Sequence, residues 1–191
     1  MLYTIIVYSE NIAGILNQIT TIFTRRQLNI ESLNVSASSI KGIHKYTITT
    51  YTDEDTIQKV TKQIEKRIDV IKANYFTDNE IFYREIALYK IPTRELLDSK
   101  QVETIISKYN ARIIEINSTY TVIQKAGTTE ETQSLYDDLK QIKILQFVRS
   151  GRVAITKSRS EKVSDYLAKR EEKHEQQELV NLFPPHKIIF E

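Results

Sequence analysis

The amino-acid sequence predicts an α+β fold made of two split βαβ units in tandem, followed by a charged tail. Three observations carry this. Apolar residues switch between a period of two and a period of three to four in the order β-α-β-β-α-β over residues 2–76. The same order recurs over residues 81–155. The chain has 191 residues, 40% of them apolar, which suffices for two small cores or one medium one.

The elements follow in order. Leu2 to Tyr8 is β-branched and aromatic and reads as a strand. Ile12, Ile15, Leu16, Ile19, Ile22 and Phe23 then form a helical stripe. Residues 30–38 alternate, with Leu33, Val35 and Ala37 on one face, and Lys41-Gly42 marks a turn. Residues 43–51 have strong strand propensity. Thr52-Asp53-Glu54-Asp55 is a helix start with acidic residues in its first turn, and Ile57, Val60 and Ile64 continue that helix. Val70 to Phe76 closes the first unit as a strand.

In the second unit, Ile81 to Ile91 reads as a strand ended by Pro92. Thr93 to Tyr109 is helical, with Asp98-Ser99 as a point of interruption. Arg112–Ile116 and Tyr120–Gln124 are strands joined by Asn117-Ser118-Thr119. Thr128 to Glu131 has the form of a capping box, and Leu135 and Leu139 carry the helix behind it. Ile144 to Ile155 is a strand with a bend at Ser150-Gly151. Each unit implies a four-stranded antiparallel sheet with both helices on one face. The other face is then uncovered and partly apolar, so a partner surface is expected over it, most simply a second copy.

Composition removes several function classes. The chain has no cysteine, which excludes disulfides, thiolate metal sites and a cysteine nucleophile. Its four glycines are too scattered for a phosphate-cradling loop. His44, His174 and His186 lie in separate segments without metal-ligand spacing, so no metal site is expected. The net charge of +2 offers no footprint for nucleic acid. No run approaches a membrane span, and a soluble cytoplasmic protein is expected. Residues 157–180 hold six basic and six acidic side chains and read as a solvated helix or loosely held tail; residues 181–190 turn apolar again.

Two segments stand out as candidate sites. In the first strand-to-helix turn, Asn11 is a good N-cap, and the amides near Ala13, Gly14 and Ile15 face outward at the positive end of the helix. A small carboxylate fits there, because Gly14 has no Cβ to block its approach. Equally, Asn11 could only cap the helix and Gly14 only ease packing. In the second segment, Asn29 offers both a donor and an acceptor where the helix gives way to the next strand. Equally, it could only end the helix.

Taken together, these residues resemble a known family. Asn11-Ile12-Ala13-Gly14-Ile15-Leu16 followed by Arg25 to Leu33 is similar to the N-terminal ACT domain of acetolactate synthase (acetohydroxyacid synthase) small regulatory subunits. Arg84-Glu85-Ile86-Ala87-Leu88-Tyr89-Lys90, Ala126-Gly127-Thr128 and Arg149-Ser150-Gly151 match markers of that family in order. The resemblance covers residues 1 to 156. It implies two ferredoxin-like domains, an ACT domain at 1–77 and a second domain at 78–156, with the charged tail at 157–191.

By the same resemblance the chain is not catalytic. It would pair through its ACT domains as a homodimer and bind the catalytic large subunit. It would raise that subunit's activity and confer feedback inhibition by valine or a related amino acid. The chain itself would carry no cofactor; thiamine diphosphate, magnesium and FAD are expected on the catalytic partner. Asn11, Ala13, Gly14 and Ile15 of one subunit would hold the effector, with Asn29 and Ile30 of the other closing the site. The effector's side chain would fill a slot near Ile12, Ile15 and Ile30. The family usually has glycine where Gln27 stands, a departure expected to alter the turn before Asn29. Asn34 and Ser36 also depart from the family, in a strand expected near the pocket. Residues 80–191 are expected to be dispensable for an effector-binding dimer but needed for activation. The alternative is a stand-alone amino-acid sensor acting on another enzyme or on transcription.

Overall fold

The computed structural model describes residues 1–98, 100–158, 168 and 172. The expectation for the tail therefore lies almost wholly outside the described residues. The first sheet contains β1 (Leu2–Glu10), β2 (Ser32–Ala37), β3 (Ile43–Tyr51) and β4 (Val70–Phe76) in the order β2-β3-β1-β4, all antiparallel. Two helices, α1 (Ile15–Arg25) and α2 (Glu54–Glu65), lie on one face. They bury Ile15, Ile19, Ile22 and Phe23 from α1 and Ile57, Val60 and Ile64 from α2 against Tyr3, Ile5 and Val7 of β1. These spacings of three and four are what let each helix present one apolar stripe. Each fully buried isoleucine contributes roughly 1.5–3 kcal/mol.

The second sheet is built on a long strand, β5 (Ile81–Pro92). It is joined by β6 (Arg112–Ile116), β7 (Tyr120–Gly127), β8 (Gln146–Arg149) and β9 (Val153–Thr156). The order is β6-β7-β5-β8, with β9 pairing the opening residues of β5. Helices α3 (Thr93–Asp98), α4 (Lys100–Lys108) and α5 (Thr129–Lys140) accompany it. Val102, Ile105, Leu135 and Leu139 pack on Ala87, Tyr89, Ile91 and Ile123. The stretch read as one strand from Ile144 to Ile155 is thus two short strands, β8 and β9. They part at Ser150-Gly151, where Gly151 takes a φ of +74°.

The helix-free face of the first sheet is not left for a partner, because the chain covers much of it itself. Side chains on β1 alternate between faces, and every residue from Tyr3 to Ser9 is buried. Ile6, Tyr8, Ile40 and Ile43 on that far face pack against Ile81 and Tyr83 of β5 and Ala154 of β9. One face of β5 therefore serves two cores: Ile81 and Tyr83 close the first sheet, and Ala87, Tyr89 and Ile91 fill the second. The far face of the second sheet does carry exposed apolar side chains, among them Ile86, Val148, Val153 and Ile155.

Arg152 fixes the junction of the two units. Its guanidinium donates to both carboxylate oxygens of Asp78, at 2.7 and 3.3 Å, and lies 3.8 Å over the Tyr83 ring. Lys45 Nζ donates to the Ala154 carbonyl at 2.9 Å. Among the described residues no helix is long and apolar enough to cross a membrane.

Candidate functional site

The turn from β1 into α1 differs from the expected capping arrangement. Gly14, not Asn11, occupies the N-cap position, at φ +93°, and no side chain caps the helix. The backbone of Asn11 instead belongs to the preceding loop, its N–H donating to the Gly42 carbonyl at 2.8 Å. Gly14 is required here because a φ of +93° is a backbone state that L side chains resist. Nothing lies within 4 Å of the point a Cβ would occupy, so the turn forms an open notch. Asn11, Ile12, Ala13 and Gly14 are all exposed around it. The first turn of α1 contains no acidic residue, so its side chains leave the positive end of the helix unneutralised. The Ile15 amide has only a long contact of 3.5 Å to the Ile12 carbonyl. The Ile15 side chain is buried in the core beneath the helix, so it does not form part of any slot for a ligand.

Asn29 and Ile30 lie at the other end of α1. The helix ends in a Schellman motif: the Leu28 amide donates to the Phe23 carbonyl and the Gln27 amide to that of Thr24, each at 3.0 Å. Gln27 holds the left-handed position, at φ +53°. The turn before Asn29 is therefore of the kind a glycine makes, and glutamine tolerates it rather than altering it. The Asn29 carbonyl accepts from Thr50 Oγ1 at 2.6 Å, while its exposed side chain donates to Glu31 Oε1 at 3.2 Å. Ile30 is half-buried against the core. The two segments lie at opposite ends of α1, an 11-residue helix about 16 Å long. Within one chain the Asn11–Ile15 and Asn29–Ile30 groups therefore do not meet.

Asn34 and Ser36 are also placed differently from expectation. Asn34 pairs with Thr47 and Ser36 with Lys45, and both line a shallow groove with Phe82, Arg84 and Ile155 on the face away from α1. They look toward the second unit, not toward the Gly14 notch.

The sequence reading missed a polar cleft where the two units meet. Its cavity measures about 430 Å³, with Glu31, Ser32 and Thr49 on one side and Glu85, Arg149 and Ser150 on the other. Gly151 packs so closely here that a Cβ would come within 3.1 Å of the Ser32 Cβ. Glu85 is buried. It accepts from Thr132 Oγ1 at 2.5 Å and Thr129 Oγ1 at 3.3 Å, and it faces Arg149 Nη1 at 3.6 Å. A signal for it was present: Glu85 falls in the alternation Ile81, Tyr83, Ala87, Tyr89, Ile91, as the one ionisable carboxylate on the inward face of β5. Burial pushes the neighbouring Tyr83 phenol up to about 12, with Arg152 only partly opposing the rise.

These features describe a two-domain protein whose first domain is an ACT-type module with an open glycine notch at its first helix. Residues 5–72 match the model of the AHAS small subunit-like ACT domain, and residues 84–158 match that of the small subunit of acetolactate synthase. The acetolactate synthase small subunit of Bacillus subtilis (strain 168) is 30% identical over 155 residues, covering 81% of this chain and 90% of its own length. That of Buchnera aphidicola subsp. Baizongia pistaciae is 33% identical over 150 residues, covering 78% and 94%. The crystal structure of the Thermotoga maritima acetolactate synthase small subunit shares the fold with a TM-score of 0.75 at 23% identity, over 84% of this chain and 99% of that one. The chain belongs to the acetolactate synthase small-subunit family.

Proposed function

We propose that this chain is the non-catalytic regulatory subunit of acetolactate synthase, activating the catalytic subunit and relaying feedback inhibition by valine or a related amino acid. The observation that carries the reading is the notch at Gly14, open, exposed and at the unneutralised start of α1. A ligand carboxylate would rest on the amides of Ala13, Gly14 and Ile15, with Asn11 beside it. Its side chain would lie along Ile12.

A second copy completes the site. β2 is an edge strand of its sheet, and the Asn29–Glu31 segment leads directly into it. Pairing two β2 edges antiparallel about a two-fold axis runs the two α1 helices in opposite directions. The start of one α1 then sits beside the end of the other, so Asn29 and Ile30 of the partner approach the notch. Two or three charge-assisted hydrogen bonds would contribute roughly 1.5–3 kcal/mol each. Burial of an isopropyl group would add roughly 1.5–3 kcal/mol. After ordering costs, affinity in the micromolar to millimolar range follows. Inhibition is then linkage: the effector favours the dimer arrangement that activates less well, by roughly 1–3 kcal/mol.

In this reading the chain works in the cytoplasm and carries no cofactor. Thiamine diphosphate, magnesium and FAD belong to the catalytic partner. The test is co-purification with the catalytic subunit and assay of acetolactate formation. The chain should raise activity, and valine, leucine or isoleucine should lower the raised activity. No complex, or activity indifferent to all three, would overturn the reading. Asn29→His should weaken inhibition across the dimer interface; unchanged inhibition would count against a shared site.

A further inference from the structure

The polar cleft between the two units plays no part in the proposed effector site. We propose that it binds an α-amino acid with a polar side chain, held as a zwitterion between Arg149 and Glu85. The cavity of about 430 Å³ falls within the range of small-molecule sites. Its two charged groups are incompletely matched to each other. Arg149 Nη1 stands 3.6 Å from Glu85 Oε1, an ion pair without a hydrogen bond. Among the described residues the Arg149 guanidinium makes no hydrogen bond, and its other contact is the Phe147 ring at 5.5 Å. A planar fork of five N–H donors thus borders a cleft beside a buried carboxylate.

An amino acid satisfies both groups at once. Its carboxylate takes the Arg149 fork, and its ammonium takes Glu85, with Glu31 on the opposite wall adding negative potential. Being neutral overall, it leaves the charge of the cleft unchanged. A hydroxy acid of the same shape would bring an uncompensated negative charge toward two carboxylates. Much of the remaining wall is hydroxyl: Ser32, Thr49, Thr129 and Ser150. Ser32 and Thr49 already share a hydrogen bond of 2.7 Å, Thr129 donates to Glu85 and Ser150 to the Gly151 carbonyl, so these oxygens offer acceptor capacity that a donating polar side chain uses and a branched aliphatic one does not. Arg152 takes no part, because Asp78 and Tyr83 already occupy its guanidinium. The two walls come from different units, so an occupant binds best when the units are correctly placed and would favour that placement.

The test uses the full chain with L-serine, L-threonine, L-asparagine and L-glutamine as probes, by thermal melting and calorimetry. At least one probe should raise the melting temperature and bind saturably. Arg149→Met should abolish that binding. Arg149→Lys, which keeps the charge but loses the fork, and Glu85→Gln, which is isosteric, should each weaken it by about tenfold or more. Glycerate, which replaces the ammonium of serine with a hydroxyl, should bind more weakly than serine by a similar factor. Melting without ligand shows which variants fold. The proposal is overturned if no probe binds, if a folded Arg149→Met variant still binds, if a folded Arg149→Lys or Glu85→Gln variant binds with unchanged affinity, or if glycerate equals serine. Gly14→Asp should leave probe binding intact, so this site and the notch stand or fall separately.

Discussion

Gln27 carries a cost that its neighbours conceal. It holds the left-handed position of the Schellman motif, at φ +53°, with an ordinary Cβ. Gln27→Gly should therefore stabilise the chain by about 0.5–1 kcal/mol, the relief of left-handed strain less the extra freedom of an unfolded glycine. A urea midpoint that rises with an unchanged slope would show it; a lower midpoint would contradict it. Asn110, at φ +48°, holds the same position after α4, where the Ala111 amide reaches the Ile106 carbonyl at 2.9 Å. Asparagine suits that backbone state better than glutamine does, so glycine there should gain less. Tyr83 gives a second expectation at this scale. Its folded pKa of about 12 lies above the ordinary 10.0, so its contribution to stability is complete below pH 10 and is lost as pH rises through 12. Tyr83→Phe should flatten the alkaline loss of stability between those values. An unchanged slope would place the effect elsewhere.

Helix starts were the most legible elements, where side chains do the capping. Asp53 accepts from the Thr56 amide at 2.8 Å, and Thr128 and Glu131 make a complete capping box. Both were readable because the caps are local in sequence. Thr128→Ala should cost about 1 kcal/mol, measured by denaturant unfolding. The start of α1 was misread for the complementary reason: Asn11 looks like a cap, but the chain turns at Gly14, where the signal is only a missing Cβ. The period of two fixed which face of β5 turns inward, yet it could not show that this face serves two cores. That depends on where β9 and the first sheet lie, which no local pattern encodes. The cleft was invisible for the same reason. Its walls at Glu31 and Arg149 are more than a hundred residues apart, although both stood in segments already singled out.

At the scale of the whole molecule, the two units form one structure across a shared strand. Truncation before residue 80 would expose Ile6, Tyr8, Ile40 and Ile43, so the isolated first unit should be poorly soluble rather than the well-behaved effector-binding dimer the sequence suggests. The Arg152–Asp78 pair makes an asymmetric expectation. The Arg152 side chain is 4% exposed and Asp78 40%. Asp78→Ala leaves a guanidinium buried without its partner and should cost about 3 kcal/mol. Arg152→Met leaves a carboxylate that water can reach and keeps contact with Tyr83, so it should cost less, about 1–2 kcal/mol. Equal losses in thermal or urea unfolding would contradict this account of the junction.

The proposed effector site depends on the backbone notch at Gly14 recognising a branched-chain amino acid. Calorimetry of L-valine with the wild-type chain and with Gly14→Asp tests it most directly, with the unligated melting temperature checking that the variant folds. The wild type should bind saturably and the variant should lose at least about tenfold in affinity, because an aspartate carboxylate would meet the ligand's own. Equal valine affinity in the two folded proteins would contradict it.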